Sequence, residues 1–385
     1  MERRKTRAVF KGRVQVGGGA PVPVQSMTTT HTADVAATVC QILELEGLRC
    51  DIIRVAVPTM ETARSIAAIK KQIHIPLVAD IHFDHRLALE SIAQGADCIR
   101  INPGNMRSRE DVAAVVRAAK DAGISIRVGV NSGSIRPRGR KTRGDKARAE
   151  KPDLVTLMVE TALADCEFME SLGFGDILIS LKASDVMATI EANRAIAGRC
   201  DYPLHLGVTE AGTIESSAIK SSVGIGTLLA EGIGDTIRVS LTGPPHDEVR
   251  IGHDILRAVG LERGGVNVIS CPTCGRCQID LVRLVDEVKR KLPPLETPLS
   301  VAVMGCVVNG PGEAAEADVG IAGGKGFGFL FRGGKKLRKV PEDRLADELI
   351  HEIKAMTGRR HASGRGGRGR QAGKRAGAGA GEVKD

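Results

Sequence analysis

The chain has 385 residues, enough for two domains, and its 42% hydrophobic content can fill a core. That core must be aliphatic, because aromatic residues make up 2% and tryptophan is absent, and nine irregularly spaced cysteines argue against a secreted disulfide framework. The net charge is +9, but Arg359, Arg360, Arg365, Arg368, Arg370, Lys374 and Arg375 supply most of the excess from a Gly/Ala-rich tail that the composition predicts to be disordered.

With no aromatic residue interleaved in that tail, stacking recognition of nucleic acid is not expected. An electrostatic contact with a polyanion is the alternative. The opening residues Met1-Glu2-Arg3-Arg4-Lys5-Thr6 lack the apolar run of a signal peptide. No apolar stretch approaches the roughly 20 residues that span a bilayer. A soluble, cytoplasmic protein with no membrane partner is expected.

After a basic leader, short apolar runs alternate with Ala-rich helical stretches. The runs lie at 21–26, 51–55, 76–80, 97–101, 125–130, 176–180, 203–208 and 235–240. Helical stretches between them include 33–45, 62–71, 109–121 and 152–172. Strand–helix alternation predicts a parallel sheet. Eight units over roughly 240 residues fit a closed (β/α)8 barrel of the TIM type, with an open doubly wound sheet as the alternative.

In a barrel, the carboxyl ends of the strands face the active site. Here those ends carry Ser26 and Thr28, Arg54, Asp80 and His82, Arg100 and Asn102, Arg127 and Asn131, Lys182, Glu210, and Arg238 and Ser240. Arg54, Arg100, Arg127 and Lys182 each lie in or beside an apolar strand, where a cation is costly unless it faces an anion. Guanidinium groups grip phosphate oxygens bidentately. Converging cations predict a multiply charged anionic substrate such as a diphosphate. For a single cation, a structural salt bridge explains the placement equally well. Glu210 is the best acid/base candidate, with Asp80 and His82 behind it. Two Gly-rich stretches, Gly224-Ile225-Gly226 and Gly323-Gly324-Lys325-Gly326, fall short of nucleotide-binding patterns.

A linker is expected at 263–265, then a small α/β unit with strands at 266–269, 298–304, 318–321 and 327–331 and helices at 278–291 and 341–356. Its working part runs from Cys271-Pro272-Thr273-Cys274-Gly275-Arg276-Cys277 to Gly305-Cys306-Val307-Val308-Asn309-Gly310-Pro311-Gly312-Glu313. Two thiols three apart on a Pro/Gly turn, with a distant third, suit an iron–sulfur cluster or zinc. A thioredoxin-type redox pair is a further alternative. Cys40, Cys50, Cys98, Cys166 and Cys200 are expected to be small core residues. The organisation expected is a barrel over 1–262, a cluster unit over 263–357 and a tail over 358–385.

Several segments carry a resemblance. Val24-Gln25-Ser26-Met27-Thr28, Ala79-Asp80-Ile81-His82-Phe83-Asp84, Arg100-Ile101-Asn102-Pro103-Gly104-Asn105, Arg127-Val128-Gly129-Val130-Asn131 and His205-Leu206-Gly207-Val208-Thr209-Glu210-Ala211-Gly212 form one set. Together with the two cysteine segments, they closely resemble the bacterial 4-hydroxy-3-methylbut-2-enyl diphosphate synthase family of the non-mevalonate isoprenoid pathway, over about residues 3–357. The resemblance implies a (β/α)8 barrel followed by a [4Fe–4S] domain. It implies two-electron reductive opening of 2-C-methyl-D-erythritol 2,4-cyclodiphosphate with release of water, fed by flavodoxin or ferredoxin. Cys271, Cys274, Cys306 and Glu313 match the family's cluster ligands. The carboxylate of Glu313 is a hard ligand that substrate oxygen can displace. Diphosphate contacts carry over to Arg54, Arg100, Arg127 and Lys182, with Asn102, Asn131 and Ser240 nearby. Glu210 matches an acid that can handle the proton at the leaving hydroxyl.

Two features depart from the family pattern. Cys277 is an additional thiol, and an all-thiolate cluster is the alternative it raises. The segment 135–148 is strongly basic, which fits a docking site for an acidic electron carrier at the barrel rim.

A helix at about 246–261 would be about 22 Å long and would return the chain to the face opposite the barrel mouth. A head-to-tail homodimer, each cluster unit serving the partner's barrel, is therefore expected. The competing function classes are a zinc-stabilised barrel lyase or hydrolase of a phosphorylated substrate, with Lys182 as Schiff-base candidate, and a nucleic-acid-binding protein working through its tail.

Overall fold

The computed structural model describes residues 2–134, 153–262, 264–292, 295, 298–308 and 310–364. The basic segment 135–148 lies outside the described residues. The chain divides into two compact units, Met1–Glu262 and Arg263–Asp385.

The first unit opens with β1 (Ala8–Lys11) and β2 (Val14–Gly17), then alternates strands and helices. These are β3 (Gln25–Met27), α1 (Val35–Gly47), β4 (Ile52–Ala56), α2 (Met60–Lys70), β5 (Leu77–Asp80), α3 (His85–Ala93), β6 (Cys98–Ile101) and α4 (Arg109–Ala122). They continue with β7 (Ser125–Asn131), α5 (Leu154–Ser171), β8 (Ile177–Lys182), α6 (Val186–Ala197), β9 (His205–Leu206), α7 (Ile214–Ala230), β10 (Thr236–Ile237) and α8 (Pro245–Ala258). β3 to β8 pair in sequence order as a parallel sheet. β9 and β10 pair parallel to each other, and the bridges Ile179↔Leu204 and Val24↔Ile237 join them to β8 and β3. The eight strands therefore close into a (β/α)8 barrel.

Local chemistry sets the helix starts. Asp34, Asp84, Ser108, Asp153 and Asp185 each accept a backbone N–H of the first helical turn, and Thr59 forms a reciprocal capping box with Thr62. β5, β6 and β8 are buried at every residue, as strands covered on both faces must be. One continuous aliphatic core joins strands and helices.

The expected basic leader is a structured element. β1 and β2 form an antiparallel hairpin whose Val9 and Val16 are buried with Ile52, Val78, Cys98 and Leu178 at the amino ends of the strands. The hairpin plugs the barrel floor. Alternating burial carries Lys11, 0% exposed, into the barrel. The sequence assigns no strand there, because Lys5, Arg7, Lys11 and Arg13 mask a period-two pattern.

The second unit comprises β11 (Gly265–Ser270), α9 (Leu281–Lys291), β12 (Pro298–Met304), α10 (Gly310–Ala315), β13 (Val319–Gly324), β14 (Phe327–Arg332), β15 (Lys335–Pro341) and α11 (Leu345–Gly364). The sheet order is β11-β12-β13-β14-β15, parallel up to β13 and antiparallel after it. α9 and α11 cover one face over Val301, Val303, Ile321 and Leu330, while Ala314 of α10 packs on Ala302, Met304, Ala322 and Phe331 on the other. β15 and α10 are additions to the expected elements. α11 begins at Leu345 rather than 341 and runs through 358–364, where the tail was expected to begin. Residues 365–385 lie outside the described residues.

Candidate active site and thiol loops

The carboxyl ends of the barrel strands surround a cavity of about 190 Å³ lined by Arg54, Asp80, His82, Arg100, Arg127, Asn131, Ser180, Lys182, Thr209, Arg238 and Ser240. Parallel pairing in register brings these side chains together: Arg54 stands beside Val78, Asp80 beside Arg100, Arg100 beside Arg127, and Asn131 beside Lys182. Two glycines make room inside the barrel. A Cβ on Gly129 would stand 2.6 Å from Arg100 Nε, and one on Gly207 would stand 2.5 Å from Lys182 Nζ.

Five cations line this cavity, and Asp80 is the carboxylate among them. Arg100 Nη1 donates to Asp80 Oδ1 at 3.1 Å, Arg54 lies 3.8 Å from Oδ2, and His82 Nε2 lies 3.4 Å from Oδ2. Burial opposes ionisation of Asp80, but Arg54, His82 and Arg100 outweigh it and hold its carboxyl well below the usual carboxylate range. Arg238 is gripped from behind by Glu248 of α8, at 2.9 and 3.3 Å, and Ser26 Oγ donates to the same carboxylate at 2.8 Å.

The excess positive charge is felt throughout. Burial pushes Lys182 well below its ordinary pKa, and Arg127, Arg238, Arg54 and Arg100 push it further. Burial and the same kind of repulsion lower Arg54, and bring Arg127 down to about 10. A rigid, buried set of cations short of counter-charge has the chemistry to take up an anion.

A polar tier lies beneath the mouth. Gln25 Oε1 accepts from Arg127 Nη1 at 3.3 Å and from Lys11 Nζ at 3.5 Å. His205 is fully buried, and its pKa is lowered by burial and then by Lys182, Arg127, Lys11 and Arg54, which keeps the imidazole neutral.

Of the candidates read from the sequence, Arg54, Arg100, Arg127, Asn131, Lys182 and Ser240 share the cavity lining. Asn102 is buried beside it, and its Oδ1 accepts from Gly104 N at 3.2 Å, capping the turn Pro103–Asn105. Glu210 stands exposed on the loop after β9, with φ 53°. Left-handed backbone costs a side-chain-bearing residue about 1–2 kcal/mol, so the loop that holds Glu210 is constrained. Sequence reasoning missed Thr209 and Ser180 and left Arg238 unassigned to the anion. The signal for Arg238 was its partner Glu248, which only the fold brings near.

In the second unit, β11 and β12 run side by side with Ser270 opposite Val303. Cys271 therefore leaves the sheet next to the Gly305–Cys306 turn, and Gly305 N donates to Cys271 Sγ at 3.3 Å. Cys277 N donates to Cys274 O at 2.9 Å and Gln278 N to Gly305 O at 2.9 Å, which ties the two loops together. Cys277 Sγ donates to Ile279 O at 3.3 Å, and a Cβ on Gly305 would stand 2.5 Å from that sulfur. Cys274 is exposed and Cys306 is buried. No group of three metal-ligating side chains is assembled among the described residues; the side chain of Glu313, in α10, and residue Asn309 lie outside them. The donors fit a soft metal cluster: thiols from two adjacent loops, with a backbone N–H already aimed at a sulfur. Elsewhere Cys50, Cys98 and Cys166 are buried as expected, but Cys40 is exposed on α1. Burial pushes the Cys50 thiol up to about 12.

Fold and site together define a (β/α)8-barrel enzyme with a cation-lined mouth and an appended thiol-bearing unit. Family models described as the GcpE TIM-barrel domain and the GcpE protein C-terminal domain match residues 6–253 and 267–355. The chain belongs to the GcpE family. It is 54% identical to the 4-hydroxy-3-methylbut-2-en-1-yl diphosphate synthase (flavodoxin) of Symbiobacterium thermophilum, over 95% of this chain and 97% of that one. The proteins of the same name from Caldanaerobacter subterraneus subsp. tengcongensis and Geobacter sulfurreducens are 57% and 53% identical, covering 92% and 93% of this chain and 98% and 99% of theirs. Among the described residues, no helix is long and apolar enough to cross a membrane.

Proposed function

We propose that this chain performs the reaction its relatives are named for. It opens 2-C-methyl-D-erythritol 2,4-cyclodiphosphate reductively to 4-hydroxy-3-methylbut-2-enyl diphosphate, with two electrons, and a hydroxyl leaves as water. The single observation carrying this reading is the cavity in which Arg54, Arg100, Arg127, Lys182 and Arg238 converge around one carboxylate. A cyclic diphosphate supplies the charge these groups lack. In this reading the guanidinium groups of Arg54, Arg100 and Arg127 hold phosphate oxygens. Lys182 faces them as a cation, and Asn131 and Ser240 orient the ring, with Asn102 supporting the wall. Asp80 and Glu248 hold three of the guanidiniums in place before substrate arrives, so little reorganisation is needed. Glu210 donates the proton to the leaving hydroxyl from the rim.

Cys271, Cys274, Cys306 and Glu313 would hold a [4Fe–4S] cluster, which supplies one-electron transfer from a flavodoxin or ferredoxin and Lewis acidity. Among this chain's own groups, the Gly305 N–H tunes Cys271, and the turn Cys274–Cys277 fixes the loop.

Glu262 ends the barrel unit at its floor, bound by Arg49 at 2.8 Å and His253 at 2.7 Å. The chain thus leaves the barrel opposite its mouth. That exit supports a homodimer in which each thiol-bearing unit works on its partner's barrel. Mixed dimers of Arg100→Met and Cys306→Ser subunits should regain roughly half of the per-dimer activity that each homodimer lacks. No recovery over the parent variants would reject the arrangement.

The test of the function is the visible and electron paramagnetic resonance spectra of anaerobically purified enzyme, with and without the cyclodiphosphate. A brown protein whose reduced signal changes with substrate is expected. A colourless protein with stoichiometric zinc and no reconstitutable cluster would overturn the reading.

A further inference from the structure

The loops that carry Cys271 and Cys306 border a surface unlike the rest of their unit. Side chains alternate along a strand, so Phe327, Phe329 and Phe331 of β14 share the face that α10 covers. Phe331 is buried there with Ala302, Met304 and Ala314, and both Cys271 and Phe329 pack against that group. Phe327 and Val307 meet at Gly324, where a Cβ would stand 3.1 Å from each. Val307 directly follows Cys306. Both thiols therefore lie one side chain away from the Phe327–Phe329 pair, whose rings meet edge-on at 5.4 Å.

Two lysines of β15 lie over this pair. Lys336 Nζ is 3.2 Å from the Phe329 ring centroid, and Lys339 Nζ is 3.8 Å from that of Phe327. β15 is the edge strand of the sheet, and Lys335 to Lys339 are all exposed. Its two faces differ. Arg338 is held by Glu348 at 2.8 Å and by Glu352 at 3.6 Å. Lys336 and Lys339 have no carboxylate partner among the described residues. Beside them Val307 and Val308 are 36% and 67% exposed. Lysines on an edge strand also discourage sheet addition. That role, however, does not require their ammonium groups to sit over two rings beside the cysteines.

We propose that this edge, with Lys336 and Lys339 flanking Phe327, Phe329, Val307 and Val308, is where an acidic one-electron carrier protein docks. The proposal rests on the function given above, since the carrier needs a cluster to reduce. Unpaired ammonium groups steer an acidic partner. A small apolar centre gives contact without permanence, as transient redox encounters require.

The experiment follows stopped-flow reduction of the anaerobic full-length holoenzyme by flavodoxin hydroquinone and, separately, by dithionite. The double variant Lys336→Glu/Lys339→Glu should lower the second-order rate with flavodoxin by about tenfold or more at low salt and flatten its salt dependence. Lys336→Gln/Lys339→Gln should show a smaller loss. Lys289→Glu, on α9 at the opposite face of the sheet, should show none. Dithionite-driven turnover and the KM for the cyclodiphosphate should stay unchanged in all of them. An unchanged flavodoxin rate would overturn the docking site, and so would an equal loss with dithionite or a raised KM. If dithionite reduces no cluster in the unmodified enzyme, the proposed function itself fails and the docking site falls with it.

Discussion

The barrel mouth and the thiol loops carry two halves of one proposed reaction, but they are built by opposite means. The mouth is finished before any ligand arrives. Arg100 and Asp80 are fixed at 3.1 Å, Arg238 is clamped by Glu248, and strand register sets the rest. The thiol loops are tied by backbone hydrogen bonds and by the contacts of the Cys271 and Cys277 sulfurs with backbone groups, and Cys274 is left exposed. An anion site can be stored in a rigid fold, because its cations can be held by neighbouring carboxylates. A cluster site cannot be stored in this way, since thiolates repel until metal joins them.

That contrast can be broken most sharply at Cys306. Cys306→Ser should cost turnover about a thousandfold or more, yet leave inorganic pyrophosphate binding at the barrel, measured by calorimetry, within about twofold. A matching loss of pyrophosphate affinity would mean that the two regions are not independently built. Asp80→Asn attacks the other side. Removing one partner of a buried charge pair costs about 3–5 kcal/mol, so the thermal midpoint should fall on the order of 10 °C. Pyrophosphate should restore part of this by replacing the lost negative charge, and no rescue would sink the counter-charge argument.

Lys11 sharpens the comparison through pH. Burial, with Arg127 and Arg54 adding to it against an opposing pull from Cys98, brings its pKa down to about 8. The unfolded chain keeps that proton to about pH 10.4. Between those values the unfolded state binds more protons, so stability rises with pH, and below pH 8 the full cost of about 3 kcal/mol is present. Lys11→Met should therefore stabilise the enzyme at pH 7 by up to that amount and abolish the rise. Denaturant titrations at pH 7 and pH 10 check both. The smallest effect is at Lys182. The cyclodiphosphate, whose phosphates are already fully ionised at neutral pH, opposes the depression of the Lys182 pKa, so binding should take up protons. Calorimetry in buffers of different ionisation heat measures it, and proton release would contradict the direction of the shift at Lys182.

Much of the barrel was legible because each apolar run is short, β-branched and followed by a helical stretch. The mouth cations were legible for a related reason: Arg54, Arg100, Arg127 and Lys182 interrupt runs in which a charge has no other excuse. What stayed hidden was what depends on partners far along the chain. Arg238 acquires meaning only with Glu248 and Ser26, and Asp80 only with two arginines. Charge also hid two elements outright. The sequence assigns Lys335 to Lys339 to no element, but they form β15, and the basic start reads as a leader but forms the hairpin under the barrel. In both, the backbone pairs while the charged side chains point away or are buried by tertiary context, which composition does not reveal.

The floor hairpin bears on how the chain reaches this state. Besides the plug itself, Arg4 N donates to Gly232 O at 3.0 Å, Arg7 N to Asp201 O at 2.9 Å, and Thr6 Oγ1 to Asp235 at 3.0 Å. Residues 4–7 thus complete their contacts only when the segments around β9 and β10 have been made, some 200 residues later. Contacts of such separation are slow to form. A nascent barrel therefore spends most of its synthesis with an incomplete floor and with one edge of β3, the edge that meets Ile237, uncovered, and factors that shield exposed strands during translation should govern its yield more than the stability of the finished fold.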